Sequence, residues 1–83
     1  MVIGKVTGNV VSTKKEDALV GMKLLVCELT EGVDAGKKIV AVDRIGAGNG
    51  EYVLISTGSA SRLAAQNKDA PIDAAVVGII DEY

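Results

Sequence analysis

The chain is 83 residues long, carries a formal net charge of −2, and contains no histidine and a single cysteine, Cys27. Hydrophobic residues make up 48% of it, yet only Tyr52 and Tyr83 are aromatic. This composition excludes an intramolecular disulfide, argues against a tight metal site, which needs clustered His or Cys ligands, disfavours a polyanion partner, which demands a basic excess, and leaves no apolar run near the roughly 20 residues that cross a bilayer.

A chain of this size forms one domain, residues 1–83. Such a domain buries only roughly 60–65% of the surface its unfolded chain exposes. With no disulfide and no metal, association is the remaining route to stability. The apolar residues are mostly Val, Ile, Leu and Ala, small groups that suit a tight β core. They are too many for one small subunit to hide, so part of this surface is expected to face other subunits. Cys27, in "LLVCEL", reads as a buried core group rather than a reactive thiol. A free thiol fits a reducing cytoplasm. The N-terminus "MVIGKVTGNV" lacks the apolar region and cleavage site of a signal peptide.

In chain order, the first β-like run is "VIGKVTGNVVST", residues 2–13. Val2, Val6 and Val10 share one face, and Gly4 and Gly8 mark a strand that bends or is approached closely. "KKEDALVG" reads as an exposed loop. The second run is "MKLLVCEL", residues 22–29, followed by a loop with Gly32 and Gly36 as turn residues. The third, fourth and fifth runs are "KIVAVD" (38–43), "EYVLIS" (51–56) and "AAVVGIID" (74–81). Several of these are apolar at consecutive positions, which buries both faces of a strand. One short helix is expected over "SASRLAAQN", residues 59–67, with Ser59 as N-cap, Asn67 at its end and Pro71 preventing its resumption. The fold class is therefore mainly β: a small, partly open barrel of five strands with one helix between the fourth and fifth. Alternation alone also fits an SH3-like barrel.

The glycine-rich segment "GAGNG" does not fit a phosphate cradle. A dinucleotide fingerprint is G-x-G-x-x-G between a strand and a helix. Here Gly50 comes one position early and a strand follows. A Walker loop needs Lys after its last glycine, and the chain has Glu51. The glycines read as turn residues joining the third and fourth strands. Ser56, Thr57 and Ser59 have no histidine as base, and nothing places Lys68 beside them, so catalysis is not expected. Asp43, Glu51 and Arg62 flank the glycine clusters. A carboxylate paired with Arg62, within or between subunits, and a plain surface role fit equally well. An oligonucleotide-binding barrel offers aromatic platforms and a positive groove, and the composition supplies neither.

The segments "GKVTGNVVSTKK", "GMKLLVCEL", "VDRIGAGNGEYVLISTGSASR" and "PIDAAVVGIIDEY", in this order, resemble the vertex-protein family of bacterial microcompartments, the pentameric shell proteins of carboxysomes and of ethanolamine-, propanediol- and glycyl-radical-type compartments. The likeness rests on T-x-K at Thr13–Lys15, G-x-K-L-L at Gly21–Leu25, D-x-x-G-A-G at Asp43–Gly48, G-S before the helix, and P-x-D-A-x-V-V-G-I-I-D at Pro71–Asp81. It departs at Ser61, where many members have Ala before Arg. Carboxysomal members commonly continue beyond the position of Tyr83, which tilts the resemblance toward a catabolic-type compartment.

The resemblance implies a five-stranded OB-like barrel that assembles as a homo-pentamer and caps the vertices of a polyhedral shell among hexameric shell proteins, in the cytoplasm, with no reaction and no cofactor. It places the family's glycine motif on Gly46 and Gly48 and its G-S-x-x-R segment on Gly58, Ser59 and Arg62. Asp43, Gly46, Gly48, Glu51 and Arg62 are then subunit-interface candidates. Thr57, Gly58 and Ser59 are candidates to line a narrow central opening. The alternative is an OB-like module that binds a ligand or a nucleic acid.

Overall fold

The computed structural model describes residues 1–83. Five strands, β1 (Val2–Val10), β2 (Lys23–Leu29), β3 (Lys38–Asp43), β4 (Tyr52–Thr57) and β5 (Ala74–Ile79), close into a barrel in the order β1-β2-β3-β5-β4. The helix α1 (Ala60–Ala64) lies between β4 and β5. The barrel is closed, where the sequence suggested a partly open one. The closing link is the parallel pairing of β3 with β5, which is only two residue pairs long, Val42↔Ala75 and Asp43↔Val76. A parallel neighbour needs a crossover, and β4 with α1 supplies it. This link gives the OB-like strand order rather than an SH3-like one.

β1 is shared by two neighbours. Val2–Lys5 pair with β4, and Gly4–Val10 pair with β2. A shift of register between Val6 and Gly8 leaves Thr7 unmatched. Such a bulge bends a strand and raises its twist, so one strand can turn a corner of the barrel. β1 ends at Val10, opposite Leu24, short of the Thr13 suggested by its composition, because β2 offers no further partner. The segment read as an exposed loop holds one 3₁₀ turn, Asp17–Leu19.

The helix is also shorter than its composition suggests. Gln66 takes a left-handed φ of 61°. The Gln66 N–H returns to the Leu63 carbonyl and the Asn67 N–H to the Arg62 carbonyl, which is the Schellman arrangement that ends a helix. Ser59 occupies the N-cap position with helical backbone angles, and its side chain caps nothing. The hydroxyl at work is Ser61, which is fully buried and donates to the Gly58 carbonyl.

The barrel interior is a cluster of aliphatic side chains that includes Val6, Leu25, Cys27, Val53, Ile55 and Val76. A smaller cluster of Val42, Ala65, Ala70 and Ile72 packs outside β3, supported by Leu19 and Leu24. The chain thus covers one stretch of its own outer wall and leaves the rest bare. Val40 is 49% exposed and Leu54 37% exposed. A monomer of 8.5 kDa has an accessible surface of about 4,700 Å² by the usual scaling with mass. This subunit exposes 5110 Å², about a tenth more than that scaling gives.

Cys27 is completely buried, as expected. Burial pushes its thiol above the ordinary value, and the Asp43 carboxylate adds to the effect. A thiol held protonated by the fold stabilises it fully below the unfolded value, roughly 8.5. That contribution is lost as pH rises toward the folded value, because the unfolded chain ionises first. Denaturation midpoints at fixed protein concentration should therefore fall above that pH. Cys27→Ala should be less stable throughout but lose this part of the alkaline slope. Equal slopes in the two proteins would rule the account out.

Candidate functional site

The β3–β4 connection brings Asp43, Gly46, Gly48 and Glu51 into one turn. Asp43 Oδ1 accepts hydrogen bonds from the N–H groups of Ile45 and Gly46, both at 3.0 Å. Its Oδ2 lies 3.5 Å from Lys23 Nζ, and the Asp43 side chain is 1% exposed. Oδ2 has no hydrogen-bond partner. Lys23 Nζ also donates to the Ala47 carbonyl at 3.1 Å, and Ala47 plugs the end of the core. Glu51 Oε1 accepts from the Gly48 N–H at 2.7 Å. The Gly50 N–H donates to the Val6 carbonyl at 2.8 Å, and the Val6 N–H to the Glu51 carbonyl at 2.9 Å. Gly46 and Gly50 have φ of 94° and 87°, which only glycine adopts without strain. The glycines make the corner, and two carboxylates fasten it.

Arg62 stands apart from this turn. It is half-buried on α1, and the chain's one intrachain salt bridge joins Lys23 to Asp43. The pairing of Asp43 or Glu51 with Arg62 does not occur within the subunit. Lys23 takes the role because the β2–β3 register sets it opposite Asp43. Thr57, Gly58 and Ser59, with Ala60, form a continuous exposed and uncharged corner between β4 and α1. Gly58 has φ of 72°, and its N–H donates to the Asp73 carbonyl at 2.8 Å. No group of three or more His, Cys, Asp or Glu side chains converges. No membrane-length apolar helix is present.

The surfaces that sequence reasoning did not locate are two apolar outer faces. The first is the β1–β4 wall. The register sets Ile3 opposite Leu54 and Lys5 opposite Tyr52. Gly78 on β5 lies beside Leu54 and has no side chain to cover it; a Cβ there would meet Leu54 Cδ1 at 3.6 Å. Tyr52 packs against Tyr83 with ring centroids 5.9 Å apart, and Lys5 Nζ lies 5.7 Å from the Tyr52 centroid. The second face is a groove of about 210 Å³ on the outside of β2 and β3, lined by Leu19, Leu24, Val40, Pro71, Ile72 and Asp73 among others. It lies beside the two-pair seam between β3 and β5. Consecutive apolar residues in "LLV" and "YVLI" signalled a surplus. Which of them point outward depends on the register.

A family model described as "Ethanolamine utilisation protein EutN/carboxysome" matches residues 1–81. The chain is 52% identical over 83 residues to the bacterial microcompartment shell vertex protein GrpN of Rhodospirillum rubrum, covering 98% of this chain and 93% of that protein. It is 47% identical over 85 residues to the carboxysome shell vertex protein CcmL of Gloeobacter violaceus, covering 98% of this chain and 83% of that one. Among solved structures, it superposes on the GrpN pentameric microcompartment shell protein from Rhodospirillum rubrum with a TM-score of 0.86 and 48% identity, over 99% of this chain and 95% of the other.

Proposed function

Because the chain belongs to the EutN/carboxysome family, we infer that it is a shell vertex protein of a bacterial microcompartment, acting as a homo-pentamer. The observation that carries this is the match of the whole barrel, at 48% identity, to a pentameric shell protein. The physics of the subunit supports it. A ring of identical subunits joins one patch to a different patch on its neighbour, and this barrel has two unlike apolar faces. The role is structural. A layer of six-fold tiles is flat, and five-fold corners give it the curvature to close. In this reading the rim of the ring meets hexameric shell proteins. The exposed corner of Thr57, Gly58 and Ser59 lines a narrow opening at the five-fold axis, and its uncharged groups would admit only small solutes. A density map of the ring with these residues on the outer rim would remove the pore from the reading.

The alternative, an OB-like module for a ligand or nucleic acid, is not favoured. Such barrels bind on the face of their second and third strands, with aromatic platforms. Here that face carries Leu24, Val26 and Val40. The first test is native mass spectrometry at micromolar concentration. The expected species is five times the 8.5 kDa subunit mass. A stable monomer would overturn the reading.

A further inference from the structure

Resting on the vertex reading, we propose that the ring forms by seating the β1–β4 wall of one subunit, centred on Ile3 and Leu54, in the β2–β3 groove of the next, centred on Leu24 and Val40. The two faces lie on different strands, so they are distinct patches rather than one patch shared. A single self-complementary patch makes a two-fold pair and stops, whereas two unlike complementary patches propagate until the ring closes. The shapes correspond. The groove is a depression of about 210 Å³. Leu54 stands beside the gap left by Gly78 and is 37% exposed.

The charges correspond as well. Asp73 lines the groove, and Lys5 sits above Tyr52 on the wall. Neither belongs to the chain's one salt bridge, Lys23–Asp43. Seating the wall in the groove brings an unpaired cation toward an unpaired carboxylate at the rim of an apolar contact. That is the usual layout of an interface, with an apolar centre and a polar edge. The same contact covers Val40 and Leu54, the strand residues that face outward in the apolar runs.

Single variants on each face, Leu54→Asp and Val40→Asp, test the assignment, with circular dichroism to check that each is folded. Each alone is expected to run as a monomer in native mass spectrometry. Mixed in equal amounts they are expected to give a 1:1 dimer and nothing larger. The intact wall of the Val40→Asp subunit fits the intact groove of the Leu54→Asp subunit, and both remaining faces carry an aspartate. A second measurement keeps the wild-type faces: in the double variant Lys5→Cys/Asp73→Cys, a short bis-maleimide should yield a covalent ladder up to five subunits, while either single variant stays at one. Persistence of the pentamer in either Asp variant, a mixture without dimer, or the absence of a ladder would overturn the face assignment. A wild-type chain that is itself monomeric would instead overturn the vertex reading beneath it.

Discussion

Gly4→Ala is expected to destabilise the barrel by about 1–3 kcal/mol, the usual cost of overfilling a packed core. Gly4 is buried and pairs on both sides, with Leu29 on β2 and Val53 on β4. A Cβ at this position would lie 2.9 Å from Ile55 Cδ1 and 3.2 Å from the Glu28 carbonyl oxygen. Ile55 is completely buried, so its end methyl has no free space to move into. Alanine gains roughly 0.4–1 kcal/mol by restricting the unfolded chain, which does not offset the clash. Ile55→Val deletes the methyl that is in the way and by itself costs about 0.5–1.5 kcal/mol. The double variant Gly4→Ala/Ile55→Val should therefore be little worse than Ile55→Val alone. Denaturant midpoints for the four proteins, compared at one concentration because assembly is linked to folding, give the coupling. Simple additivity would show that the crowding at Gly4 has another source. Against a typical total stability of about 5–15 kcal/mol, the expected loss is large for one methyl group.

Asp43→Ala is expected to cost about 2 kcal/mol, and Asp43→Asn less than half of that, on the scale of hydrogen bonds to a charged group. Two terms oppose each other here. Oδ1 holds the N–H groups of Ile45 and Gly46, and alanine releases both. Oδ2 is buried without a hydrogen-bond partner, and removing it recovers some desolvation cost. The first term dominates because the two N–H bonds set the turn that carries Ala47 into the barrel end. Asparagine keeps an oxygen in the Oδ1 position. The ion pair itself contributes little. Lys23 is half exposed, its side chain at 49%, and such pairs are worth about 0–1 kcal/mol. Lys23→Met should accordingly change stability by less than about 1 kcal/mol. An asparagine variant as unstable as the alanine variant would shift the weight from the turn to the ion pair.

Much of the element plan was legible in the chain. The β3 run read as 38–43 is the observed strand, and the helix lies between β4 and β5 as its composition indicates. These features rest on local alternation and on turn residues such as Gly46 and Gly50. The two glycines of β1 show the limit. Both read as a bend or a close approach, yet Gly4 is a close approach and Gly8, with nothing within 4 Å of its would-be Cβ, sits at the bulge. The partner of Asp43 was equally out of reach. Arg62 is nearer to Asp43 in the assembly-motif segment, but Lys23 is opposite in register. The hydroxyl at the helix start was misplaced by two residues, because Ser59 fits the usual cap preference and only the fold puts Ser61 against the Gly58 carbonyl.

The amino-acid order by itself determined that this is a small aliphatic β structure with more apolar surface than one subunit can bury. That follows from residue chemistry and from a period of two, both local properties. The tertiary structure alone decided that the barrel closes through two parallel pairs between β3 and β5. It alone decided that Leu54 and Val40 face outward while their neighbours Val53, Ile55 and Ala41 face in. Closure and facing depend on register between strands far apart in the chain, where a shift of one residue exchanges the two faces, and no local signal in the sequence encodes that choice.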